Sequence, residues 1–217
     1  MRSKKQPNGE RTFVDIARRA QLVECAIDAI ADVGYQKASL AEIARRAGIT
    51  KGAIFYHFAN RDELIEAVLA HVVTAGADLV VPRLRAAETP RAQLRAYVGG
   101  FVESLHVNPR AVQVMYAIGD HMTDEQGRPR LLHDAAMQEA ALAPIEDILR
   151  RGQEADEFGE FDARSMAMMI RATLEAMPRY VLAYPELDID SYGRDLVTFF
   201  ERSLQADQAA RPRKSGR

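Results

Sequence analysis

Lys51, Gly52, Phe55, Tyr56 and His57 fall within one short stretch of the sequence, TKGAIFYHF. On a helix, Gly52, Phe55 and Tyr56 occupy positions i, i+3 and i+4 and form a single stripe. Ile54 and Phe58, four residues apart, share another face and supply the buried contacts. Two adjacent aromatics cannot both enter one small core, so at least one of Phe55 and Tyr56 faces outward. An exposed aromatic beside a lysine and a glycine is costly unless a partner covers it. The major groove of a DNA duplex is a partner that uses all of them. Glycine allows close approach, Lys51 can reach guanine acceptors or phosphate, and Phe55 can touch thymine methyls. Tyr56 and His57 can donate to phosphates, as can backbone amides at the starts of the neighbouring helices. The candidate DNA-contacting set is Ser39, Thr50, Lys51, Gly52, Ala53, Phe55, Tyr56, His57 and Arg61.

Catalytic chemistry finds no comparable foothold. Cys25 lies inside a helical pattern with no histidine nearby and reads as a small buried side chain. Asp120, His121, Asp124 and His133 are metal-ligating types, but their spacing matches no standard pattern and a solvated loop explains them better. No glycine-rich phosphate loop follows a strand, because no stretch alternates as a strand does. The expectation is a chain without catalytic residues, metal or cofactor.

The stripe needs elements to hold it. A helix-turn-helix requires a small residue where two helices cross, which Ala44 supplies, and a glycine in the turn. Gly48, four residues later, can take the positive φ that a tight turn demands. Ile43, Ile49, Ile54 and Phe58 lock the second helix of the pair. Upstream, Ile16, Val23, Ala26, Ile27 and Ile30 recur at helical spacing over residues 15–33, and Gly34 follows as a stop. Ser39 with Glu42, and Asn60 with Glu63, have the spacing of capping boxes, and Thr50 can cap a helix running to about Phe58. The helix opened by Asn60 reaches toward Val81 and Pro82. Further starts are expected at Thr89-Pro90, Asn108-Pro109 and Arg128-Pro129, with Pro144 kinking the third of these helices. Residues 156–159 read as a loop, Asp162 caps a helix to about Tyr184, and Asp190 or Ser191 begins the last, to about Ala206. The fold class is all-α: a three-helix helix-turn-helix head followed by a larger helical bundle for ligand binding and dimerisation, about nine helices in all. The expected divisions are a basic arm at 1–11, the head at 12–60, the bundle at 61–206 and a basic, disordered tail at 207–217.

Residues 39–64, SLAEIARRAGITKGAIFYHFANRDEL, resemble the DNA-binding domain of TetR-type transcriptional regulators. That family's signature reads much like T-x-x-x-I-A-x-x-A-G-V-S/T-x-G-x-L/I-Y-x-Y/H-F-x-N/D-K-E/D-x-L. The matches run through Leu40 to Ala44, Ala47 to Gly52, Ile54 to Phe58 and Asn60 to Leu64, and the likeness spans roughly residues 22–69. Phe55 stands where the family often has tyrosine, which removes a hydroxyl. Arg61 stands where lysine is usual, which keeps the charge but changes its geometry.

The resemblance implies a ligand-responsive homodimer that represses from a palindromic operator on double-stranded DNA. A small, largely apolar inducer in the bundle would re-space the two heads and release it. A division or nucleoid factor on the same fold, without an inducer, is the alternative; dispersed rather than few genomic sites would mark it. The last two helices, about residues 163–184 and 191–206, are the expected dimer bundle. Met166, Met169, Ile170, Thr173, Leu174 and Met177 make an apolar stripe on the first; Leu196, Phe199, Phe200 and Leu204 make one on the second. Phe101, Met115, Ile118, Met122, Met137 and Met168 suit an adaptable apolar pocket, with Tyr116, His121 and Glu175 as its polar candidates.

Composition fits this picture. The net charge of −2 conceals an asymmetry: residues 1–60 hold ten Lys/Arg against six Asp/Glu, and the remainder nineteen against twenty-five. A basic front on an acidic body places any nucleic-acid contact at the front. The N-terminus lacks the apolar core of a secretory signal, and no uncharged stretch approaches the roughly 18 residues of a membrane span. A single cysteine excludes an internal disulfide and suits the cytoplasm.

Overall fold

The computed structural model describes residues 13–119, 121–122 and 135–205. Regular structure among the described residues is helical throughout: α1 (Phe13–Val33), α2 (Leu40–Arg46), α3 (Lys51–Ile54), α4 (Arg61–Ala86), α5 (Pro90–Val107), α6 (Pro109–Gly119), α7 (Ala135–Glu154), α8 (Ala163–Ala183) and α9 (Ile189–Ser203). The basic arm, the C-terminal tail, the start expected at Arg128-Pro129, and Asp120, Asp124 and His133 lie outside the described residues. The chain forms two compact units: Met1–Val73 with Gln113–His121, and Thr74–Val112 with Met122–Arg217.

In the first unit, α1 buries Leu22, Val23, Ala26, Ile27, Ala29 and Ile30. Ile16, expected on the same face, is exposed, as are Phe13 and Val14, because the buried stretch of α1 begins only at Leu22. Gly34 stops α1 with φ +81°, and Gly48 turns the chain between α2 and α3 with φ +67°. Both are conformations that cost a residue with a Cβ. Ser39 caps α2, its hydroxyl accepting from the Glu42 amide. The reciprocal half of that box is not made: Glu42 turns its carboxylate to Arg45 and Arg46 instead. At α4 the Asn60 side chain accepts from the Glu63 amide at 2.8 Å, and Glu63 reaches back to the Ala59 amide at 2.7 Å, one residue before the cap.

Helix α3 is shorter than its pattern predicts, ending at Ile54 rather than near Phe58. The Tyr56 and His57 amides bond carbonyls three residues back, so the chain tightens into turns after one helical turn. Ile54 and Phe58 nevertheless stay buried together. Leu64, Ile65, Val68 and Val72 of α4 are also buried. They carry the first compact unit past residue 60, the boundary expected from the sequence, to Val73. α4 is long and apolar enough to cross a membrane by length and composition; these four side chains are instead spent on protein core.

In the second unit, Thr89 caps α5 with Pro90 as its first residue, as the sequence predicts. α5 packs against α7, α8 and α9, and α7 packs against α8. Gly100 on α5 meets Val80, and an added Cβ there would lie 2.8 Å from a valine methyl. Asp162 caps α8 as expected. The last helix begins at Ile189, earlier than expected, because Asp188 is its cap and accepts from the Ser191 amide at 3.0 Å. The loop after α7 acts as a clasp. Glu157 accepts from the Arg91 amide at 3.0 Å, Phe158 inserts its ring against Gly152, and the Gly159 amide donates to the Leu204 carbonyl at 2.8 Å.

The apolar stripes of α8 and α9 divide between an inner and an outer edge. Ala163, Ala167, Ile170, Leu174 and Met177 are buried, as are Phe200 and Leu204. Met169, Tyr180, Leu182, Tyr184 and Phe199 stay exposed. Tyr180 and Tyr192 join the two helices edge to face, their centroids 6.4 Å apart.

Candidate nucleic-acid interface

The helix-turn-helix is built from α2, the turn at Gly48 and α3. Thr50 caps α3, its hydroxyl accepting from the Ala53 amide at 3.3 Å, so Ser39 and Thr50 both serve as caps while remaining exposed. Side chains of α3 and of the turns after it separate into an inner and an outer set. Ile54 is fully buried and Phe58 nearly so, with the Arg19 guanidinium 4.0 Å above the Phe58 ring. Lys51 and Gly52 are exposed, Phe55 is half-exposed, and Tyr56 is 89% exposed. Space around Gly52 is open: the nearest heavy atom to an added Cβ is the Thr50 hydroxyl oxygen at 4.0 Å. Ala53 is partly covered between these two faces.

Two residues of the expected set are committed inward. His57 holds Asp15 of α1 through Nδ1 at 2.7 Å, which leaves Nε2 as its second nitrogen. Arg61 lies 4.2 Å above the Tyr35 ring and donates to the carbonyls of Tyr35, at 2.6 Å, and Ala38, at 3.4 Å. The family's lysine at that position gave no hint of this; Tyr35, 26 residues upstream, is the partner sequence spacing could not supply.

Beside α3, hydrogen bonds from Arg45 and then Arg46 hold the Glu42 carboxyl down at about 2. Arg46 also reaches Asp32 of α1 at 2.6 Å. These ion pairs fix α2 to α1 and neutralise one another. Lys51 has no partner among the described residues and keeps its charge available to a phosphate or a base edge.

The expected ligand-contacting residues fall in both compact units. Met115, Tyr116, Ile118 and His121 belong to the first unit, where Ile118 is fully buried and His121 stacks on Tyr35. Phe101, Met122, Met137, Met168 and Glu175 belong to the second. Met137 and Met168 are on the surface; on α8, Ala167, Ile170 and Leu174 take the inner side instead of Met168. Glu175 is exposed and accepts from Arg171 at 2.6 Å.

Sequence reasoning missed two polar groups of α5 inside this unit. Gln93 donates to the Ala87 carbonyl while its own side-chain oxygen is buried without a partner. Four residues on, burial pushes the Tyr97 phenol up, against the field of Arg171. With Phe101 they form an i, i+4, i+8 row. A separate open groove between α5 and α9 has Val98, Val102, Gly193 and Val197 in its lining, with His106 and Asp190 paired at one end. None of the expected ligand residues reaches it. Burial, with Asp28 and Glu24 adding to it, raises the Cys25 thiol, as an inert side chain requires.

The family model for bacterial regulatory proteins of the tetR family matches residues 22–68. Among characterised proteins, the chain is similar to the HTH-type transcriptional regulator BetI of Pectobacterium carotovorum, 38% identical over 102 residues. That match covers 46% of this chain and 52% of the relative, so the chain spans about half the length of the first relatives it matches. The BetI protein of Ectopseudomonas mendocina is 30% identical over 157 residues, 70% of this chain and 78% of the relative. In fold, the chain is similar to the fatty acid degradation regulator FadR from Bacillus halodurans, with TM-score 0.72, 20% identity, and coverage of 94% of this chain and all of that one. The ketosteroid transcriptional regulator KstR2 of Mycobacterium tuberculosis gives TM-score 0.69 at 20% identity, over 88% of this chain and 96% of that one.

Proposed function

Because this chain belongs to the TetR family of bacterial regulatory proteins, we propose that it is a transcriptional repressor acting on cytoplasmic DNA. It binds a palindromic operator as a homodimer and leaves it when a small, largely apolar molecule occupies the second unit. The observation that carries this reading is the exposure of Lys51, Gly52, Phe55 and Tyr56 along α3 and the turns that follow it, a segment locked inward by Ile54 and Phe58. Nothing in the head's own packing requires two adjacent aromatics outside, whereas a major groove uses both. Ser39, Thr50 and the second nitrogen of His57 flank them and suit phosphates. Arg61 supports this face from behind.

Dimerisation through the outer edges of α8 and α9 is supported by their exposed Met169, Tyr180, Tyr184 and Phe199. An apolar seam of this kind is the self-complementary surface that a two-fold interface needs. Within the second unit, the unpartnered Gln93 oxygen beside Tyr97 and Phe101 supports a ligand that is mostly apolar and brings one hydrogen-bond donor.

Selection of bound sequences from random duplex DNA tests the reading, with the wild type beside the Lys51→Ala, Tyr56→Ala double variant. The expected result is an enriched palindrome of roughly 14–20 base pairs that the double variant does not recover. Absence of enrichment at moderate salt, from protein refolded free of ligand, overturns it.

A further inference from the structure

Helix α5 carries two distinct faces. Gln93, Tyr97 and Phe101 form one row, whereas Arg95, Gly99, Val102 and His106 recur at helical spacing on the opposite side. Between that second side and α9 runs a groove of about 690 Å³, a volume within the range of small-molecule sites. We propose that this groove is a second ligand site on each protomer, taking an elongated apolar carboxylate whose head meets Arg194. The inference goes beyond the repressor reading and does not depend on it.

The two helices run antiparallel along the groove, as its paired ends show. Arg95 donates to Glu201 at 2.5 and 2.9 Å at one end, and His106 meets Asp190 at 3.1 Å at the other. Arg95 and His106 are separated by about 16 Å of helix. Between these ends the floor is Val98 and Val102, with Val197 facing them from α9, and all of it belongs to the second unit. Gly193 lets the helices approach: an added Cβ there would lie 2.6 Å from a Val102 methyl. Gly99 is different. It lines the groove and is exposed, and an added Cβ would meet nothing within 4 Å. Packing within the fold therefore does not call for a glycine at this point of α5, where glycine weakens the helix. Its bare backbone leaves room for an apolar group lying against it.

Charge selects the ligand. Arg95 and Glu201 cancel, Glu103 is neutralised by Arg83, and Asp190 is held by His106. Arg194 also lines the groove, and its side chain has no partner among the described residues. A lone guanidinium beside an apolar floor suits a carboxylate, which it can grip with two parallel hydrogen bonds. Arg194 follows directly on the contact of Gly193 with Val102, and from there about 10 Å of floor extends to the Arg95–Glu201 pair. That pair is satisfied, so the far end of the ligand needs no second charge. The edge proposed for dimerisation leaves the groove clear. Val197 lines it, and the exposed Phe199, two residues on, lies on the opposite side of α9.

Titration of the full-length protein, followed by amide NMR shifts, tests the assignment with three probes of one shape: phenylbutyrate, the neutral phenylbutanol and the cationic phenylbutylamine. Phenylbutyrate is expected to saturate one site per protomer with a Kd on the order of a millimolar or tighter, shifting the amides of Gly99, Gly193 and Arg194. The alcohol binds roughly tenfold or more weakly, and the amine more weakly still. Arg194→Gln lowers phenylbutyrate affinity by the same factor and leaves the alcohol unchanged. Gly99→Leu fills the groove from a position with open space around it, so the fold persists and phenylbutyrate no longer shifts those amides. Should Gly99→Leu fail to fold, Arg194→Gln serves, because that side chain is exposed. Affinity for phenylbutyrate that survives in both variants, or that is lost instead in Phe101→Leu of the opposite row, overturns the groove site. Equal binding of acid and alcohol overturns the role of Arg194, and absence of saturable binding by roughly ten millimolar overturns the proposal as a whole.

Discussion

Alanine at Gly48 and alanine at Gly52 add the same methyl group four residues apart, and the structure assigns them opposite consequences. At Gly48 nothing lies within 4 Å of the new atom, so the cost is entirely conformational: φ is +67°. A residue with a Cβ loses about 1–2 kcal/mol in the left-handed region. The restricted unfolded chain offsets about 0.4–1 kcal/mol of this, leaving a net destabilisation near ~1 kcal/mol. At Gly52 the backbone is helical, and the nearest neighbour of a Cβ is 4.0 Å away. Alanine is preferred to glycine there by up to about 0.5–1 kcal/mol, so stability holds or rises. On DNA the order reverses, because Gly52 belongs to the outward stripe and Gly48 to the turn behind it. Losing one close groove contact weakens operator binding by roughly tenfold or more. The assay pairs urea unfolding, followed by circular dichroism at fixed protein concentration, with fluorescence anisotropy on the selected duplex. Gly48→Ala lowers the unfolding midpoint while the folded protein still binds; Gly52→Ala keeps the midpoint and binds weakly. A Gly52→Ala protein that loses stability, or binds as tightly as wild type, refutes the placement of α3's outer face.

Glu42 gives a pH signature of definite sign. Its carboxyl is held down at about 2 by Arg45 and Arg46, so its contribution is complete above the ordinary carboxylate value of 4.5 and fades as pH falls toward 2. The stability gap between wild type and Glu42→Gln is therefore wide at pH 6 and narrows by pH 3, which denaturation at the two pH values checks. Phe199→Asp places a charge on the exposed edge of α9, where the side chain is 62% exposed, so the fold persists while the dimer dissociates. Light scattering at micromolar concentration reads the outcome, and a variant that remains dimeric moves the interface elsewhere. Gly152→Ala puts a methyl within 2.2 Å of two carbons of the buried Phe158 ring. Overpacking of this kind costs about 1–3 kcal/mol and lowers the thermal midpoint by several degrees.

Legibility in the sequence followed the range of the forces involved. Caps at Ser39, Thr50, Asn60, Thr89 and Asp162, and the stops at Gly34 and Gly48, depend on a few neighbouring residues and were readable as local chemistry. The buried pair Ile54 and Phe58, with Phe55 and Tyr56 outside, lies where helical spacing puts it, although the helix itself ends at Ile54. What the sequence did not show depended on residues distant along the chain. His57 and Arg61 have the composition of phosphate contacts, and the partners that also hold them, Asp15 and Tyr35, lie 42 and 26 residues away. Met168 is flexible and apolar, but which side of α8 faces inward is decided by its packing on α7, and periodicity leaves that choice open. The end of α3 was misplaced because apolar spacing continues to Phe58 while the hydrogen-bond pattern does not.

The clasp after α7 sets where this protein can be cut. Leu204 is fully buried, and its carbonyl receives the Gly159 amide, in the same loop that holds Arg91 at the start of α5. A shortened gene ending after Gln205 keeps that plug. One ending at Ser203 removes a buried leucine, a loss of about 2–5 kcal/mol, and leaves the Gly159 amide without its acceptor. Two residues thus separate a terminus that keeps the plug from one that loses it.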